Sequence, residues 1–155
     1  MENIIVKKIS EIAKWHSNYE GNIKEIGTKT CNKTKYTSNA GIYGIAIKIT
    51  DKYEKNKLFE QIKKLENYRC ETKYENWKSI GENWYPLYWG KAKCLGSRLG
   101  QHLRKDKKNH SLHLCDKRYD FLCGFEISYG AILCESNKEI ERNLKAKYPD
   151  VLKTF

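Results

Sequence analysis

Five side chains in this sequence have the types, and the order, that hydrolysis of a phosphodiester would use: Tyr43, Tyr88, Arg98, His102 and Glu141. Tyr43 closes the tripeptide Gly41-Ile42-Tyr43 and Tyr88 opens Tyr88-Trp89-Gly90, with Arg98 ten residues after Tyr88 and His102 four further on. The reaction needs a nucleophilic water, stabilisation of charge on the non-bridging oxygens, and help for the departing 3′ oxygen. One Mg²⁺ (or Mn²⁺) held by a single carboxylate and waters suffices, because Mg²⁺ retains much of its hydration. Glu141 is the candidate metal ligand. Arg98 can hold the scissile phosphate with a charge that deprotonation does not remove. A tyrosine, ordinarily with a pKa of about 10, becomes a base only where positive charge favours its phenolate; Arg98, the cation and nearby lysines could supply that field. Tyr43 is the preferred base, with His102 assisting its deprotonation and Tyr88 orienting water or phosphate. The reverse assignment of the two tyrosines stays open.

The charge of the chain suits such a substrate. Lys and Arg number 30 against 19 Asp and Glu, a formal net charge of +11, which favours a polyanionic partner, nucleic acid before an acidic membrane surface. Residues 91–118 alone carry nine basic and two acidic side chains, whereas residues 51–83 and 119–155 are nearly balanced. Within and beside the basic stretch, Lys91, Lys93, Arg104, Lys105 and His110 are candidate phosphate contacts. A solvated Lys-rich surface would explain the lysines equally well, but not Arg98 and His102. No run of 18 apolar residues and no secretory leader is visible, so a soluble cytoplasmic protein that stays off the membrane is expected. The six cysteines then read as reduced thiols, mostly buried. His110, His113 and Cys115 lack the second well-spaced pair of a structural zinc site.

These residues must be positioned by a small number of elements. In 155 residues one domain with one core is the default. Residues 1–40 form an extension packing on or beside that core. A strand at 3–9, a short helix capped by Ser10, and a loop or substrate-facing arm at 18–39 are expected there. Residues 42–49 are apolar and β-branched, hence a strand. Residues 53–67 place Leu58, Phe59, Ile62 and Leu65 at helical spacing. Pro86 introduces a second extended piece, 87–92. Residues 94–105 form a helix with Leu95, Leu99 and Leu103 on one stripe, and Arg98 and His102 one turn apart beside it. A third strand is expected at 121–129. Ser136 and Glu139 make a capping box for a last helix over 137–147, where Ile140 and Leu144 face inward and Glu141 lies about 100° from Ile140, at the stripe's edge. The fold class is α/β (α+β): a three-stranded mixed or antiparallel sheet flanked by helices.

With the two tripeptides, Arg98, His102 and Glu141 in E-R-N-L-K-A-K-Y-P, residues 41–149 resemble the GIY-YIG nuclease superfamily. The resemblance implies that the tripeptides lie on neighbouring strands, that Arg98 and His102 share the following helix, and that Glu141 binds one divalent cation. It implies a metal-dependent DNA endonuclease in residues 41–155, such as a restriction, phage or mobile-element enzyme. Trp89 departs from the small aliphatic residue usual in the second tripeptide. The 44 residues between the tyrosines exceed the short hairpin of many members, and the insertion at 51–85, rich in Tyr and Trp, is the expected source of substrate choice. The Asn often found beyond the Glu has no clear counterpart after Lys147. Two other readings use the same residues: a basic DNA- or RNA-binding module without catalysis, and a scaffold docking through the aromatic insertion.

Overall fold

The computed structural model describes residues 40–93, 98, 101–102, 110–114, 116–133 and 138–155. The expectations for residues 1–39, for Arg104 and Lys105, for Leu95, Leu99 and Leu103, and for the Ser136 cap lie outside the described residues. Strand β1 (Gly41–Lys48) is buried along seven of its eight residues. It pairs antiparallel with β2 (Trp84–Ala92) on one side and with β3 (Ile127–Leu133) on the other, giving the order β2-β1-β3. A central strand covered on both faces reads as an unbroken apolar run, which is what Gly41-Ile42-Tyr43-Gly44-Ile45-Ala46-Ile47 is. Its alternation sends Tyr43, Ile45 and Ile47 to the larger core, with Leu58, Phe59 and Trp77, and sends Ile42 and Ala46 to a second cluster with Trp84, Trp89 and Leu144.

Strand β2 begins three residues before the expected start and runs through Pro86. The register between β1 and β2 shifts at Ile45/Ala46, where Pro86 pairs with Ala46 and Tyr88 with Ile45. A proline, having no N–H to donate, is tolerated on an edge strand at such a bulge. The free Pro86 carbonyl accepts from the buried Trp77 indole N–H at 2.8 Å. The third strand also differs from expectation. Residues 117–122 form a 3-10 helix whose start is capped by the Asp116 carboxylate accepting from the Arg118 N–H, Gly124 turns the chain at φ +95°, and β3 starts only at Ile127.

Helix α1 (Lys52–Ile62) is capped by Asp51, whose Oδ1 accepts from Glu54 N–H at 2.7 Å. It ends five residues before the expected Asn67. Asn67 is instead buried, its amide donating to Tyr119 Oη and to the Lys153 carbonyl, so tertiary bonds take the chain out of the helix. The insertion's rings mostly fill the core: Phe59, Trp77 and Trp84 are buried, Tyr68, Tyr74 and Tyr85 pack against the core, and Tyr53 stands out in solvent at 75 % exposure. Of the described cysteines, Cys70 is exposed and Cys123 half-buried; the other four lie outside the described residues. No helix among the described residues is long and apolar enough to cross a membrane.

Helix α2 (Lys138–Lys147) packs Leu144 and Ile140 onto the second cluster, with acidic residues in its first turn and Lys145 and Lys147 in its last, as the helix dipole favours. The chain after it covers the outer edge of β2. Val151 and Leu152 N–H groups donate to the Leu87 carbonyl, while Arg69 N–H donates to Val151 and Lys153 N–H to Asn67. At the centre lies Asp150, whose Oδ2 accepts from Trp89 N–H at 2.9 Å and whose Oδ1 pairs with Arg69 Nε at 2.8 Å. Burial pushes the Asp150 carboxyl up, and Arg69 and the Trp89 N–H draw it back.

Removing one member of a buried ion pair costs about 3–5 kcal/mol, less here because the Arg69 side chain keeps a quarter of its exposure. Asp150→Ala is therefore expected to lose about 2–3 kcal/mol in urea unfolding. Asp150→Asn, which retains an acceptor for Trp89, should lose less.

Candidate active site

Strand β1 sets Tyr43 opposite Gly90, and the tyrosine ring lies directly across that glycine. A Cβ on Gly90 would collide with the Tyr43 ring and hydroxyl, so the glycine of the second tripeptide serves close approach. Tyr43 is only 2 % exposed, and a phenol so buried needs a polar partner. Its Oη lies 2.5 Å from Nε2 of the fully buried His102. Tyr88, half-buried on β2, completes a cluster of three rings. Its centroid stands 6.0 Å from that of Tyr43 and 4.9 Å from that of His102.

The segment 110–114 folds over His102 and determines its tautomer. Ser111 Oγ donates to the Gln101 carbonyl, Leu114 N–H to the His102 carbonyl, and Leu112 N–H to His102 Nδ1 at 3.1 Å. Nδ1 is thus an acceptor, so the neutral ring carries its proton on Nε2 and donates it to Tyr43 Oη. Burial, and then the positive charges of Arg98 and His113, hold the His102 pKa down to about 3. In this arrangement the ring is a hydrogen-bond donor to the Tyr43 oxygen. Tyr43 itself is pushed well above the ordinary tyrosine value, first by burial and then by Tyr88, with Arg98 pulling the other way.

Arg98 and His102 both have helical backbone and approach the same point, as their spacing predicts. The guanidinium is oriented by Gln101 Oε1 at 2.8 Å and the His110 carbonyl at 2.7 Å. Two of its donors meet these oxygens, and the guanidinium also reaches the Tyr43 hydroxyl. On α2, Glu141 Oε1 pairs with Lys145 Nζ at 3.2 Å, and Lys145 in turn lies 5.7 Å from the centre of the Tyr88 ring. Glu141 Oε2 is buried with no hydrogen-bond partner. A buried carboxylate oxygen with unused lone pairs fits a hard cation. Among the described residues no group of three or more His, Cys, Asp or Glu is gathered as a metal cage.

The structure therefore brings Tyr43, Tyr88, Arg98 and His102 together and links Glu141 to them through Lys145. Of the other expected contacts, the described ones, Lys91, Lys93 and His110, stand apart from this cluster. Lys91 and Lys93 are exposed, and Lys91 pairs with Ile42, whose side chain belongs to the second cluster. The imidazole of His110 is turned to the main-chain oxygen of Phe155, 2.7 Å away, while its carbonyl orients Arg98. Sequence reasoning missed three contributors. Lys145 stands four residues after Glu141, a detectable helical pair. The Leu112 N–H has no side-chain signature. Trp89, which breaks the usual tripeptide, is fully buried and donates its indole N–H to the Tyr148 carbonyl at 2.7 Å, fixing the end of α2 to β2.

The chain matches no family model, no curated protein and no solved structure. The chemistry is carried by the residues themselves.

Three outcomes follow from this geometry. A long-range ¹H–¹⁵N spectrum at pH 7 should place the His102 proton on Nε2. With a folded pKa of about 3 and an ordinary value of 6.5, the unfolded chain takes up the proton first as pH falls. His102 thus contributes fully above about pH 6.5, and stability falls by up to about 1.4 kcal/mol per pH unit below it. Urea unfolding between pH 4 and 7 should show a flatter dependence for His102→Gln. Gly90→Ala should cost about 1–3 kcal/mol by overpacking and shift the Tyr43 ring signals.

Proposed function

We propose that this protein is a metal-dependent endonuclease that hydrolyses phosphodiester bonds in DNA, on a small sheet-and-helix core of the GIY-YIG type. The observation that carries this reading is the gathering of the Arg98 guanidinium and the half-buried Tyr88 at one buried Tyr-His pair, with the Glu141 carboxylate joined to Tyr88 through Lys145. A module that only binds nucleic acid has no use for a buried carboxylate oxygen that finds no hydrogen bond among the described residues. Two strands and two helical segments converge to hold these groups, which is how a site keeps reacting atoms in near-attack geometry.

In this mechanism Arg98 grips the non-bridging oxygens of the scissile phosphate through its charged guanidinium. Glu141 Oε2 would hold a divalent ion, Mg²⁺ or Mn²⁺, which would supply positive charge to stabilise the phosphate. Tyr43 stays protonated, fixed by the His102 Nε2–H, and uses its own hydrogen to orient a neighbour. Tyr88 is the tyrosine open to solvent and takes the role at the attacking water. The reverse of the preferred sequence assignment is thereby favoured, because burial holds Tyr43 in its neutral form. The exposed Lys91 and Lys93 contribute field along the DNA backbone rather than contacts at the reacting phosphate.

The competing reading is a binding module on the same fold, favoured by the neutral, fully hydrogen-bonded Tyr43–His102 pair, which is also a stable structural core. Supercoiled plasmid incubated with protein and Mg²⁺ separates the two. Nicking or linearisation that stops with EDTA is expected. Arg98→Ala and Tyr88→Phe should each reduce the rate by about 10²–10³-fold, in the range of a lost oxyanion donor or general base, and Glu141→Ala should abolish the metal dependence. DNA shifted in a gel but left intact in every form, linear, supercoiled and single-stranded, would sink the nuclease reading.

A further inference from the structure

Lys145 is the one cation in direct contact with Glu141 among the described residues, and its placement is unlike that of a solvent-facing helix pair. Both side chains are largely covered, with 31 % of Lys145 and 20 % of Glu141 exposed. The ammonium sits between the Glu141 carboxylate and the face of the Tyr88 ring, at the joint where Trp89 binds the end of α2 to β2. The ammonium pairs with Oε1 at 3.2 Å, and Oε2 is buried without a hydrogen bond among the described residues. A carboxylate on a freely solvated helix face would satisfy both oxygens with water.

We propose that Lys145 is a positioning residue of the cation site. It occupies Oε1 so that Glu141 can offer only Oε2, as a single oxygen ligand. This inference rests on the nuclease reading and deepens it by stating which ions the site takes. Mg²⁺ and Mn²⁺ accept one carboxylate oxygen within an otherwise hydrated octahedron, whereas Ca²⁺, with six to eight ligands at longer distances, gains from a carboxylate that binds through both oxygens. With Lys145 on Oε1 the second mode is closed. The ammonium is thus an outer partner of the ligand, orienting it toward the small ion and against the large one, while its stem packs over Tyr88 and keeps ring and carboxylate in fixed relation.

The test is calorimetric titration of the metal-free full chain with MnCl₂ and, separately, CaCl₂, without DNA. Wild type, Lys145→Met, Lys145→Arg and Glu141→Ala are compared, each first shown by circular dichroism to be folded. Wild type should bind one Mn²⁺, and Glu141→Ala should bind none. Lys145→Met should bind Mn²⁺ about 10-fold more weakly, as loss of an outer-shell partner does, while its Ca²⁺ affinity holds or rises. Lys145→Arg should recover most of the Mn²⁺ affinity. If Lys145→Met binds Mn²⁺ as tightly as wild type, or more tightly, the positioning role is overturned and the pair is an ordinary helix contact. The metal assignment itself falls, and this inference with it, if wild type binds no Mn²⁺ or Glu141→Ala binds it unchanged.

Discussion

The hydrogen bond between the His102 ring and the Tyr43 hydroxyl is the interaction around which the molecule is arranged. Two polar rings have been taken almost wholly out of water, and each unsatisfied group there would cost about 1–3 kcal/mol. Satisfying them leaves little freedom. The Tyr43 ring must cross β2 where no side chain intervenes, hence Gly90. His102 Nδ1 must find a donor, hence the Leu112 amide. Holding that amide in place requires residues 110–114 to fold back on the helical segment, with His113 in the left-handed region at φ +54°. Arg98 is then oriented by the His110 carbonyl of the same segment. The Arg98 guanidinium and the buried pair therefore share one support.

A second constraint is the outer edge of β2. An uncovered edge offers a row of unpaired N–H and C=O groups to other chains. Here residues 150–152 answer that row, through the Asp150 carboxylate on Trp89 and the two amides on Leu87. Residues 67–69 of the insertion buttress the tail. Trp89 works on both fronts: its main-chain N–H meets Asp150 and its indole N–H meets Tyr148. A small aliphatic residue at this position would lack the second bond. The bulky departure in the tripeptide thus fixes the helix that carries Glu141 and Lys145 against the strand that carries Tyr88.

What was legible in the sequence was whatever depends on local spacing. The strand around Tyr43 is an unbroken apolar run, and Arg98 and His102 at i and i+4 had to face one point on a helix. Leu144 at the centre of the last helix followed from the same periodicity. What was not legible depends on partners distant in the chain. Pro86 argued for a strand beginning after it, because a bulge opposite Ala46 leaves no local trace. Residues 121–129 have strand-like composition, but the Asp116 cap and Gly124 divide them into a 3-10 turn and a late strand. Helix α1 stops early because Asn67 has better partners in Tyr119 and Lys153 than in the helix. The tautomer of His102 is set by a backbone amide, and no residue type encodes that. The insertion was expected to pack as an extra layer or to help grip substrate, and most of its described rings close the core, since the 35 residues between β1 and β2 must bury their own apolar surface somewhere.

The edge cover of β2 also orders events in time. Its bonds join Asn67 to Lys153 and Trp89 to Asp150, pairs separated by 86 and 61 positions, and such long-range contacts form late because a large loop must close first. A ribosome that has made Tyr43, Tyr88, Arg98 and His102 has still not made Asp150. Until it does, the outer edge of β2 lies uncovered, with the helix bearing Glu141 held to the sheet through Tyr148 and Leu144. The order of synthesis thus leaves the outer edge of this sheet open until residues 150–153 have been made.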